Sequence, residues 1–104
     1  MKVIDSLYVK GIKDKKINKF VSKIKNNKIV NGIYVITLPI FDDGILEIYS
    51  YLQFKQKFYS KFYDDIVVVG IAKNKEDADM LVLDIVQQLY DADCGFDIRR
   101  FLEV

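Results

Sequence analysis

The sequence contains no histidine and only one cysteine, Cys94. Without histidine the chain lacks the commonest general base, every Ser-His or Cys-His nucleophile system and the usual zinc ligand sets. A lone cysteine excludes a disulfide within these residues and any intrachain thiolate cluster, and it favours a reducing, cytoplasmic setting. With no histidine to activate it, Cys94 is expected to be an ordinary thiol. The glycines stand apart at 11, 32, 44, 70 and 95, so neither a G-x-G-x-x-G fingerprint nor a Walker A loop is present. Asp5 and Lys10 interrupt any secretory h-region, and no run approaches the ~18 to 20 apolar residues that span a bilayer. No motif specifies a catalytic residue, a cofactor or a metal. Carboxylates, lysines and tyrosines are what remains for chemistry, and the reading leans away from an enzyme.

What the sequence does contain describes a single globular domain over residues 1–104. Apolar residues make up 51% and charged residues 30%, a balance that can build a core without disulfides or metals. Abundant Lys, Ile, Asn, Tyr and Phe with little Ala, Arg or Pro suggest an AT-rich bacterial or phage genome. The net charge of +1 hides an asymmetry. Residues 1–30 carry nine lysines against Asp5 and Asp14, a balance of +7, whereas residues 31–104 carry seven basic and thirteen acidic residues, a balance of −6. Such a split fits either a basic nucleic-acid face or oppositely charged elements that attract.

The elements alternate along the chain. "KVIDSLYV" (2–9) is β-branched and aromatic and reads as a strand ended by Gly11. Asp14 is expected to cap a helix in which Ile17, Phe20, Val21 and Ile24 recur at helical spacing. On its opposite side stand Lys15, Lys16, Lys19 and Lys23. "NGIYVITLPI" reads as a second strand ended by Pro39. "DDIVVVGIAK" reads as a third, buried on both faces. Asn74 with Asp77 resembles a capping box for a helix that places Ala78, Leu81, Val82, Ile85 and Leu89 on one stripe. Gly95 is expected to stop that helix, and "FDIRRFLEV" to close the fold as an edge strand.

The stretch "IYSYLQFKQKFYSKFYDD" (48–65) crowds seven rings into residues 49–63. "FDDGI" before it offers an Asp-Gly hairpin signal, and one parity of residues alternates as in a strand. A strand over 45–63 would run roughly 60 Å, whereas a helix would run about 28 Å. The expectation is therefore a helix over 45–63. The fold class is then α/β or α+β: one small three- to four-stranded sheet with about three packed helices, in the order β-α-β-α-β-α-(β). If the second and third strands are parallel neighbours, the helix between them crosses over right-handed.

Two candidate sites follow. Apolar and aromatic positions cover an arc of about 200° of the expected aromatic helix, wider than one buried face requires. Tyr51, Phe54, Phe58 and Phe62 are accordingly candidate interface residues, with Lys57 and Lys61 at the rim. The second site is the junction of strand ends, where Asp42, Asp43, Lys73 and Asn74 follow the second and third strands, near Thr37. Carboxylates there suit a hard cation and Lys73 a phosphate, although capping is the commoner role of Asp and Asn at such positions. The lysine stripe lacks the arginine that reads bases, and the overall pI is near neutral, so nucleic acid is disfavoured as a partner. The expected function is a small cytoplasmic protein-interaction or regulatory module that self-associates as a homodimer through residues 45–63. The alternative is a small cation- or phosphate-dependent enzyme or ligand-binding protein using Asp42, Asp43 and Lys73.

Overall fold

Four apolar runs form one mixed sheet in the computed structural model, which describes residues 1–28, 30–41, 44–93, 95 and 97–104. The strands are β1 (Lys2–Lys10), β2 (Tyr34–Thr37), β3 (Glu47–Ser50) and β4 (Val67–Ala72), in spatial order β1-β4-β2-β3. The most apolar run takes an inner place. Val68, Val69, Ile71 and Ala72 of β4 are fully buried, because helical layers cover both of its faces. β4 runs parallel to β1 and antiparallel to β2, and β2 forms an antiparallel hairpin with β3.

Alternation along the strands divides the core in two. On one side Val35, Val68 and Ile71 pack with Ile24 of α1 (Asp14–Lys25) and with Tyr51 and Phe54. On the other, Ile36 and Val69 pack with Leu81, Ile85 and Leu89 of α2 (Lys75–Asp91) and with Ile98 of α3 (Ile98–Leu102). Each fully buried aliphatic or aromatic side chain contributes roughly 1.5–3 kcal/mol. Between Ile36 and Thr37 the β2–β4 register slips, leaving Val69 as the extra residue of a bulge. Gly70 lets α2 approach closely, since a Cβ there would lie 3.2 Å from a Leu81 methyl and 3.3 Å from one of Ile36.

Several expectations hold. The single sheet with about three helices is as read, and so are the first strand, the buried third run and the stripe of α2, in which Val82 alone is half-buried. Asn74 caps α2, its side chain accepting from the Asp77 N–H at 2.8 Å. On α1, Lys15, Lys16 and Lys19 are exposed, Lys23 is half-buried and Ile24 faces the core.

Other expectations are corrected. Residues 45–63 do not form an α-helix. Glu47–Ser50 is a strand, and Tyr51–Lys55 and Lys57–Asp65 are two 3-10 helices separated by Gln56 in an extended conformation (φ −65, ψ 134). The rings explain the choice. With three residues per turn, Tyr51 eclipses Phe54 and both enter the core, while Tyr59 eclipses Phe62. The second and third expected strands are neighbours but antiparallel, so no crossover helix joins them, and the parallel pair is β1 with β4. The C-terminal segment forms the short α3 rather than an edge strand, with the Asp97 side chain accepting from the Arg100 N–H. Asp14 lies in the first turn of α1, where it suits the helix dipole, and Lys13 is the N-cap residue. α2 ends at Asp91, before Gly95, and the left-handed residue after it is Asp93 (φ 54).

Candidate functional site

The aromatic stretch forms a ladder of rings from core to surface. At its inner end Tyr51 and Phe54 are each 1% exposed. The Tyr51 hydroxyl donates to the Lys28 carbonyl at 2.9 Å, and that of Tyr63 donates to the Phe54 carbonyl, fixing the two 3-10 segments to each other. Burial, and then the nearby Tyr63 phenol, pushes the Tyr51 hydroxyl up to about 12. Tyr49 and Tyr59 form the middle rung, with ring centroids 4.9 Å and 5.4 Å from Phe54.

At the outer end Phe41, Phe58 and Phe62 pack on one another. Their centroids are 5.8 Å (Phe41–Phe58), 5.0 Å (Phe41–Phe62) and 5.7 Å (Phe58–Phe62) apart. Phe58 is 56% exposed and Phe41 52%. The Lys61 ammonium stands 5.2 Å and 5.3 Å from the Phe58 and Phe62 centroids, where the ring quadrupoles attract it. Glu47 supports this end by accepting from the Ile40 N–H at 2.7 Å and the Tyr49 hydroxyl at 3.0 Å, which steadies the chain leading to Phe41.

Of the four candidate interface residues, then, Phe58 and Phe62 belong to a surface patch. Tyr51 and Phe54 do not, because their rings fill the core of this chain. Phe41 was missed by sequence reasoning. It lies outside the aromatic run, and only the β2–β3 hairpin brings it beside Phe58 and Phe62. The signals for that hairpin are the Asp-Gly pair of "FDDGI" and the shared parity of Leu46, Ile48, Leu52, Phe54, Phe58 and Phe62, of which the strand Glu47–Ser50 uses only the first part.

Of the strand-end residues, the described ones do not share one end of the sheet. Thr37 pairs with Val68 near the entry to β4, whereas Lys73 and Asn74 follow its exit. Asn74 is engaged as the cap of α2. Asp42 and Asp43 lie outside the described residues, as does Cys94. Among the described residues, no three Cys, Asp or Glu side chains are grouped to hold a metal. A groove of about 600 Å³ lies between β1 and the C-terminal segment. Lys2 and Arg99 line it together with Asp5 and Glu103, so side chains of both signs are present and neither dominates. No helix among the described residues is long and apolar enough to cross a membrane.

No protein-family model, curated protein or solved structure matches the chain. The surface chemistry is therefore the basis for a functional reading.

Proposed function

We propose that the protein is a cytoplasmic interaction module that self-associates through the patch of Phe41, Phe58 and Phe62. One observation carries this reading: two phenylalanines more than half exposed pack on a third to form a continuous apolar surface, with Lys61 lying across it. Clustered exposed rings of this kind commonly mark interaction surfaces. The charges beside the patch suit a second copy. Lys57 and Lys61 precede Asp64 and Asp65 on the same segment, and all four are exposed. A two-fold axis near Lys61 would set Lys57 of each copy against Asp65 of the other, the self-complementarity an isologous contact needs.

Sedimentation or light scattering tests the proposal on the wild-type chain beside Phe58→Glu. The wild type is expected to be dimeric at tens of micromolar and the variant monomeric with an unchanged fold, since Phe58 contributes little to the core. A wild type that stays monomeric at high micromolar concentration would end this reading.

A further inference from the structure

α2 carries a second surface that the aromatic patch does not involve. Its buried stripe is Ala78, Leu81, Ile85 and Leu89. At about 100° per residue, the line directly opposite is Met80, Leu83, Gln87 and Tyr90. These follow one another at spacings of three, four and three, the a/d pattern of a coiled-coil seam. Met80 is 52% exposed, Leu83 68% and Tyr90 70%. A surface helix covering one face of a sheet has no need of apolar residues there. Beside the seam, Asp77, Asp84 and Asp91 recur every seven residues at the e position, and Asp79 stands at a g position. Of these, Asp79 is paired with Lys75 at 2.6 Å.

We propose that this face of α2 is a docking surface for an amphipathic helix of a different protein, one with basic residues flanking its apolar seam. Charge decides between occupants. Two α2 helices meeting antiparallel would set e against e, aspartate against aspartate. Meeting parallel, they would set Asp84 against Asp79. A second copy of α2 is therefore repelled. α1 of a second copy is basic, but its apolar residues Phe20 and Ile24 are committed to its own core. A separate basic helix has neither defect. It would cover Leu83 and Tyr90 while its lysines or arginines meet the aspartates.

The test uses the full chain, isotopically labelled, and two synthetic helical peptides of about three heptads. Both carry Leu at a and d. One carries Lys at e and g and the other Glu. The Lys peptide is expected to shift the amides of residues 79–91, and the Glu peptide to bind at least tenfold more weakly. Leu83→Ser with Tyr90→Ser is expected to weaken the Lys peptide at least tenfold without disturbing the rest of the spectrum, because both side chains are exposed. Asp84→Lys with Asp91→Lys is expected to reverse the preference between peptides. Equal binding of both peptides, binding of neither, or shifts outside α2 would overturn the proposal. So would α2 shifts caused by raising the protein concentration alone, which would make a second copy the occupant. Dimer formation through Phe58 is read from other amides, so the two proposals fail separately.

Discussion

Thr37 and Tyr51 show how differently two buried polar side chains can be accommodated. The Thr37 hydroxyl is fully buried with no hydrogen-bond partner among the described residues. Leaving such a group unsatisfied costs about 1–3 kcal/mol, so Thr37→Val, nearly the same shape, is expected to be neutral or to raise stability by up to about 1 kcal/mol in urea denaturation. A loss of 2 kcal/mol or more would mean that the hydroxyl has a partner after all. Tyr51, in contrast, is satisfied by the Lys28 carbonyl. Its hydroxyl is raised from 10 to about 12 in the folded chain. Folding thus favours the protonated phenol, whose contribution is complete below pH about 10 and is lost as pH rises towards 12. Melting temperature is expected to fall across that window, and more shallowly in Tyr51→Phe. Near neutral pH the same substitution should lower stability by about 1 kcal/mol for the lost hydrogen bond. Equal alkaline slopes for the two proteins would show that another group governs the transition.

Among the elements, α2 was the most legible in the sequence, because several local signals agree. Asn74 caps, Glu76 suits the first turn and a stripe runs from Ala78 to Leu89. Asn74→Ala is expected to lower stability by about 1 kcal/mol, read as a shift in the denaturation midpoint, and Asn74→Ser to retain most of it. If Ala and Ser behave alike, the bond to the Asp77 N–H contributes nothing. Residues 45–65 were the least legible, and the reason is geometric. A strand of period two runs directly into 3-10 segments of period three, whose i, i+3 pairs occur in an α-helix as well, so the ring spacing does not mark where one gives way to the other. Ile48 and Tyr49 go to opposite sides of the sheet, which only a strand allows, whereas Tyr51 and Phe54 share a side, as an eclipsed pair must. The candidate patch was half legible for the same reason. Phe58 and Phe62 lie in the aromatic run, but Phe41 reaches them through the hairpin, a contact no local pattern encodes. Strand direction was equally hidden, since β2 and β4 have the same apolar pattern whichever way they run.

Across the whole molecule the charge asymmetry of the sequence becomes an asymmetry between layers. The lysines of α1 lie over one face of the sheet, and Asp77, Asp84 and Asp91 belong to the helix over the other. This arrangement bears on nucleic acid as a partner. α1 is about 18 Å long, so Lys15, Lys16, Lys19 and Lys23 could together meet only a few phosphates. Four such contacts would give a log–log salt slope of about −3.6, and at physiological salt an affinity no better than ordinary non-specific binding, 10⁻⁴ to 10⁻⁶ M. Lys23 is half-buried and weakens even that count. No arginine stands on α1 to read a base edge. The acidic layer on the far side adds a repulsion that a screening length of about 10 Å at 0.1 M salt does not wholly remove. Micromolar protein is therefore expected to leave the anisotropy of a labelled duplex or single strand unchanged at about 150 to 200 mM salt. Micromolar binding with a slope of −3 or steeper, abolished by Lys16→Glu with Lys19→Glu, would instead make the α1 face a phosphate-binding surface.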